Sequence, residues 1–158
     1  ALLQAGDLTG AVAEFQTALR LDPSYDEASS NLALAQSGVL AASYLNSGIA
    51  LLNAGNFAGA IPEFESCLRI APNNAEAHND LGVAFSRLPE HQSDSIAQFE
   101  AAVSLRPDFA SAQYNLGLAL THIPGGLPDA LSHLEEADRL SPNPALEQTI
   151  AHLLTQQQ

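Results

Sequence analysis

The chain has 158 residues and a formal net charge of −13, from 18 acidic side chains against five arginines and no lysine. A surface this acidic repels phosphate backbones, which excludes nucleic-acid binding. No apolar run approaches the roughly 20 residues that cross a bilayer, so we also exclude direct membrane insertion of this segment. The acidity is explained most simply as a solvated surface, with a groove for a basic partner as the alternative.

The first 25 residues carry the end of one helical unit. Ala11, Phe15 and Ala18 fall on one face of a helix that Pro23 ends, because proline cannot continue a helix and disfavours helix in the residue before it. Residues 1–6 resemble residues from the middle of such a unit, so the chain begins inside a repeat. We therefore expect a partial repeat over 1–25, in a chain that is a fragment of something longer.

Residues 26–40 interrupt the regular pattern. The interval from Pro23 to Pro72 is 49 residues (72 − 23), which is one unit of 34 and a further 15, and a second helix is missing. Fifteen residues at about 100° each return to within about 60° of the starting face, so one long helix over about 26–53 would keep its apolar stripe. The alternatives are a break at Gly38 that leaves an unpaired helix, which would favour dimerisation, and a helix absent from the sequence.

Three similar units follow, at 41–74, 75–109 and 110–144. In each, a first helix contains a glycine, a second helix contains a small and then a large apolar residue, and a proline ends the unit. These four positions hold, unit by unit, Gly48, Ala60, Phe64 and Pro72; Gly82, Ser95, Phe99 and Pro107; Gly117, Ala130, Leu134 and Pro142. Since the small residues lie on facing helices, we expect them to allow a close approach.

Two further features complete the chain. The single cysteine, Cys67, leaves no partner for a disulfide and occupies a position that alanine fills in the other units, which indicates a small buried residue. Leu146, Ile150, Leu153 and Leu154 form one apolar stripe at helical spacing, which predicts a capping helix over 145–158.

The recurring pattern resembles the tetratricopeptide repeat family. The resemblance covers nearly the whole chain, although Tyr44, His78 and Gln113 stand where the family prefers tryptophan, Ser47 replaces leucine and Leu134 replaces an aromatic residue. It implies an all-α fold, a right-handed α-solenoid of helix-turn-helix hairpins with a C-terminal capping helix.

We find no motif for catalysis or cofactor binding in the sequence. No phosphate loop, nucleophile elbow or His-Glu-x-x-His pattern occurs. Asp129, His133 and Glu136 share a helix face, but we interpret them as surface residues rather than metal ligands. We therefore predict no catalytic residue, no metal site and no cofactor.

The resemblance also implies where a partner binds. In this family the first helices line a concave face, often with an Asn two residues before the small Gly or Ala, and its carboxamide can both donate to and accept from a peptide unit. On this basis the predicted peptide-binding residues are Asn31, Asn46, Asn79, Asp80, Val83, Arg87, Tyr114, Asn115, Leu118 and His122. The alternative for Asn31 and Asn115 is a bond to a local backbone group. A clamp for chaperone C-termini is disfavoured, because Arg87 is the only first-helix arginine.

The predicted function is a non-catalytic scaffold that binds an extended peptide or protein partner, with a basic partner as one option. Two alternatives stay open. One is a segment of a larger bacterial protein, since the turn at 123–130 is similar to arrays attached to membrane glycosyltransferases. The other is a self-assembly module that forms a homodimer through 26–54. The compartment is unknown; we expect a soluble segment, cytoplasmic or periplasmic.

Overall fold

The computed structural model describes residues 7–155, which fold into eight α-helices and one short 3₁₀ helix. In chain order the α-helices are α1 (Leu8–Leu21), α2 (Asp26–Asn53), α3 (Phe57–Ile70), α4 (Ala75–Ser86), α5 (Gln92–Leu105), α6 (Ala110–Leu120), α7 (Leu127–Leu140) and α8 (Pro144–Thr155), and the 3₁₀ helix, Pro89–His91, precedes α5. Residues 1–6 of the predicted partial repeat and residues 156–158 of the predicted cap lie outside the described residues.

The helices pair as hairpins. The C-terminal half of α2 packs against α3, α4 against α5 and α6 against α7, and each second helix also packs against the first helix that follows it. Asn56 and Asn74 cap α3 and α4 by accepting backbone N–H bonds of 3.0 Å from Gly59 and Ala77. The all-α arrangement of helix-turn-helix hairpins predicted from the sequence is confirmed.

The glycine of each hairpin lies directly against the large residue of its partner helix. A Cβ added to Gly48 would lie 2.5 Å from the Phe64 ring, and one added to Gly82 would lie 2.6 Å from the Phe99 ring. Gly117 is equally close to Leu134, at 2.6 Å. The close approach expected at these glycines is therefore present, and it leaves no room for a larger residue.

The segment that interrupts the repeat pattern is one continuous helix. α2 has 28 residues and passes through Gly38 without a break, so the alternative of a break there is wrong. Its N-terminal half packs against α1 and its C-terminal half against α3. Gly38 contributes to the first of these contacts, since an added Cβ would lie 2.8 Å from Cδ1 of Leu8.

The missing second helix leaves part of α2 open to solvent. In α4, the corresponding residues Ala77 and Leu81 are 0% and 3% exposed, because α3 covers them. In α2 the same positions hold Ser43 and Ser47, which are both exposed. Small polar residues at these positions fit a surface that faces water, not one that a further helix of this chain covers.

None of the helices between residues 7 and 155 combines the length and the apolar character needed to span a membrane.

Candidate functional site

Three successive first helices, the C-terminal half of α2 with α4 and α6, expose the same three rows of side chains. Equivalent residues are 34 apart from α2 to α4 and 35 apart from α4 to α6 (80 − 46 and 115 − 80). The first two rows share one helix face, since their members lie three residues apart, and the third row follows four residues later, at the end of α2 and just beyond the ends of α4 and α6. They are a polar row of Asn46, Asp80 and Asn115, an aliphatic row of Ile49, Val83 and Leu118, and a terminal row of Asn53, Arg87 and His122. We call this surface the first-helix face.

One cavity opens between α4 and α6 on this face. It has a volume of about 460 Å³, and Val83, Arg87, Asn115, Leu118 and His122 line it. α5 contributes further lining residues, and no lining residue is acidic. The structure thus brings together five of the ten predicted site residues, from two neighbouring hairpins, around aliphatic groups, an amide and a cation.

A second cavity lies beside the first, between α6 and α8. It has a volume of about 400 Å³ and includes Tyr114 and Asn115, together with Asn143 and Thr149. Tyr114 is 40% exposed. Asn115 borders both cavities, so the two adjoin at this residue.

Two more predicted residues join the site through hydrogen bonds. Asn115 Nδ2 donates to Asn79 Oδ1 over 2.9 Å, and Asn79 Nδ2 donates to Asp80 Oδ1 over 3.0 Å. Asn79 is only 6% exposed, so it positions its neighbours from within the protein. Asn115 is therefore held by a side chain of the preceding hairpin and not by a local backbone group.

The environment of Asp80 disfavours its charge. Burial raises the pKa of this carboxyl, the hydrogen bond from Asn79 partly opposes the shift, and the nearby charge of Glu76 adds to it. A cation brought to this position would relieve both effects.

The terminal row holds the cationic group of the site. Arg87 follows directly after α4 and is exposed. His122 Nδ1 lies 3.1 Å from the carbonyl oxygen of Leu118 and 3.2 Å from the hydroxyl oxygen of Thr121, so this nitrogen has partners within its own turn. The other ring nitrogen, Nε2, is left to meet a ligand.

The remaining two predicted residues lie apart from these cavities. Asn46 is exposed in a shallow depression between α2 and the start of α1, beside Asp7 and Leu8. Asn31 is half-buried in the N-terminal half of α2. Two members of the rows were not predicted, Ile49 and Asn53, although their spacing from Asn46 is the signal that identifies them.

Other titratable groups outside this face have structural contacts. His133, considered above as a metal ligand, has Nδ1 2.7 Å from Gln113 Oε1. Cys67 is fully buried, as predicted, and burial raises the pKa of its thiol. Within residues 7–155, no three His, Cys, Asp or Glu side chains are arranged to hold a metal ion.

The helices form successive hairpins, and the first helix of each hairpin contributes equivalent side chains to one surface. This arrangement defines a helical-repeat protein. Two family models match the chain, one described as TPR repeat over residues 1–38 and one described as tetratricopeptide repeat over residues 45–94 and 93–144. The chain belongs to the tetratricopeptide repeat family. Neither match is to an enzyme family, and the interval between them falls within α2.

Solved structures of other repeat proteins share the fold. MamA is 22% identical, with a TM-score of 0.67, over 99% of this chain and 82% of its own. YrrB, described as a TPR protein with an unusual peptide-binding site, is 20% identical, with a TM-score of 0.61, over 98% and 87%. The first TPR of Spaghetti (RPAP3), bound to an HSP90 peptide, is 19% identical, with a TM-score of 0.68, over 73% and 91%. No curated protein sequence matches the chain.

Proposed function

We propose that this protein is a non-catalytic interaction module that binds an extended peptide segment of a partner protein on the first-helix face. The observation that carries the proposal is the cavity between α4 and α6. Val83, Arg87, Asn115, Leu118 and His122 line it from two neighbouring hairpins. An aliphatic surface edged by a few fixed polar groups suits a segment that is anchored by side chains and oriented by hydrogen bonds.

The geometry of Asn115 supports recognition of a peptide backbone. Its Nδ2 already donates to Asn79, which fixes the orientation of the carboxamide. Oδ1 is then directed by this bond and can accept a hydrogen bond from a peptide N–H. Two structural neighbours, YrrB and the Spaghetti domain, are themselves described as peptide-binding, which is consistent with this use of the face.

Selection from a random peptide library on phage tests the proposal. We expect selected peptides to bind the purified protein in fluorescence anisotropy and to perturb backbone amide signals of α4 and α6 in NMR spectra. The double variant Arg87→Ala/His122→Ala should weaken binding, because both side chains are exposed at the cavity and carry its polar end. Arg20→Ala, on the exposed surface of α1, is the matched control. Perturbations confined to α1 and α3 would refute the proposal.

Self-association through α2 is a second candidate, favoured by exposed apolar residues. Leu34, Val39 and Leu40 are 63%, 37% and 49% exposed on this helix. Such residues are a usual component of contacts between copies. Light scattering across a wide concentration range tests the idea: a dimer that Leu34→Ser/Leu40→Ser dissociates would support it, and a monomer at every concentration would exclude it.

A further inference from the structure

The distribution of charge along the first-helix face bears on the kind of segment that it binds. This inference rests on the proposed function and deepens it. We infer that the bound segment is dipolar, with a basic side chain at Asp80, an aliphatic side chain at Val83 and Leu118, and an acidic side chain at Arg87.

The evidence that the cavity binds an acidic side chain comes from the contacts of the five arginines. Three are held by groups of their own chain: Arg69 donates to Ser66 over 2.6 Å, Arg106 lies 3.7 Å from the ring centroid of Phe109, and Arg139 pairs with Glu136. Arg20 and Arg87 have no such partner among residues 7–155, and of these only Arg87 lies on the first-helix face. In a chain of net charge −13, an arginine without an acidic partner in a cavity without an acidic residue is a site for an anionic group.

The anionic end rests on Asp80 and Glu76. Asp80 is half-buried, its Oδ1 accepts from an uncharged amide, and Glu76 lies one turn earlier on α4. Neither carboxylate forms an ion pair among the described residues. Burial raises the pKa of Asp80 and the charge of Glu76 adds to the shift, which agrees with a basic group supplied by the partner.

The two ends are separated by an uncharged middle. Asp80 on α4 and Arg87, directly after its last residue, are seven residues apart, about 10 Å along the axis at 1.5 Å per residue. Val83 lies between them, and Leu118 of α6 faces the same cavity. An extended segment rises about 3.3 Å per residue, so two charged side chains that bridge this distance are three or four residues apart, with room for an aliphatic side chain between them.

The peptides selected on phage provide the probes for the test. We expect them to carry a Lys or Arg and an Asp or Glu on either side of an aliphatic residue. Replacing either charged residue of a selected peptide by Gln should weaken binding by about fivefold, as for ion pairs that are partly exposed. Both effects should shrink at high salt.

Charge reversal in the protein gives the decisive comparison. Arg87→Glu should weaken binding of the selected peptide and restore it for a peptide whose acidic residue is replaced by Lys. Arg20→Glu changes the net charge equally but should leave both affinities unchanged. Asp80→Asn should abolish the difference in affinity that the basic residue of the peptide causes, and leave the difference caused by its acidic residue unchanged.

The outcomes separate this inference from the proposed function. Selected peptides that bind the first-helix face but are uncharged, or carry charges of one sign, overturn the inference and leave the proposed function standing. The inference is also overturned if Arg87→Glu and Asp80→Asn leave unchanged the ratio between the affinity for a selected peptide and the affinity for its Gln-substituted form. Failure of every peptide to bind the face overturns both.

Discussion

Gln113 and His133 are joined by a hydrogen bond of 2.7 Å between Oε1 and ring Nδ1, and Nε2 of the same glutamine donates to the carbonyl of Pro107 over 2.8 Å. The preceding hairpin contains the same arrangement with the two residue types exchanged. His78 Nδ1 lies 2.7 Å from Gln98 Oε1, and His78 Nε2 lies 2.9 Å from the carbonyl of Pro72. In both hairpins the bonds tie the proline turn to both helices.

The proline carbonyl determines where the protons lie. Because it can only accept, Gln113 presents its nitrogen to Pro107 and its oxygen to His133, whose Nδ1 must therefore be protonated. In the other hairpin the same reasoning places a proton on Nε2 of His78, so Nδ1 of the neutral ring accepts and the Gln98 amide presents its nitrogen, by an amide flip that exchanges it with Oε1. The two arrangements are equivalent in the bonds that they provide.

Exchanging the two residues in one hairpin should therefore preserve stability. We expect Gln98→Ala to lower the free energy of unfolding by about 1 kcal/mol, since it removes one hydrogen bond at a half-buried position, and His78→Ala to lower it further, since it removes two. The double variant His78→Gln/Gln98→His reproduces the order found in the next hairpin and should stay within about 0.5 kcal/mol of the parent. Urea unfolding of the four proteins measures this. A double variant as unstable as the alanine variants would contradict the proposed equivalence.

Two glycines on first helices should respond to alanine in opposite directions. Gly82→Ala should lower the free energy of unfolding by about 1–3 kcal/mol, because the new Cβ would overlap the buried Phe99 ring. Gly38→Ala meets the flexible end of Leu8 in the middle of α2, where alanine is favoured over glycine by up to about 1 kcal/mol. Thermal unfolding followed by circular dichroism compares them. A loss of stability in Gly38→Ala as large as in Gly82→Ala would mean that α1 packs rigidly against α2.

The stability of the protein should depend on pH through Asp80. A carboxyl whose pKa is raised on folding stabilises the fold while protonated, and this contribution is lost as pH rises from below its ordinary value of 3.8 through the raised value. Asp80→Asn removes the effect but keeps an oxygen that accepts from Asn79. The variant should melt at a higher temperature than the parent at pH 7 and at the same temperature below pH 3.8. Equal melting temperatures at both pH values would show that Asp80 is not desolvated.

The thiol of Cys67 should be unreactive in the folded protein. It is fully buried and its pKa is raised, so little thiolate is present and a reagent cannot reach it. We expect an aromatic disulfide reagent to react rapidly in denaturant and more slowly by orders of magnitude in buffer. Cys67→Ala supplies the unreactive control and reproduces the residue found at Ala102 and Ala137. Fast reaction in buffer would indicate that α3 opens locally.

Local patterns in the sequence were sufficient to predict the hairpins. The interval between prolines, the glycine on each first helix and the large residue on each second helix report contacts within one hairpin, such as Gly82 with Phe99. These contacts recur in every unit, so their signal is repeated in the sequence. The same regularity identifies Val83 and Leu118 as equivalent residues on one face.

Contacts between hairpins are not encoded in this way. The hydrogen bond from Asn115 to Asn79 joins two residues 36 apart whose positions in the repeat differ, and no recurring pattern marks such a pair. The position of Asn46 is a second example. It lies beside Asp7, away from the α4–α6 cavity, because α2 packs against α1 there, and the spacing of the prolines does not predict this contact.

The amino-acid sequence alone determined the repeat and the residues that pack inside each hairpin, because these depend on helical periodicity and on neighbours close in the chain. Only the tertiary structure decided that 26–53 is one helix and that five residues share a cavity between α4 and α6. The physical reason is that both depend on how successive hairpins pack, where side chains far apart in sequence compete for the same surface.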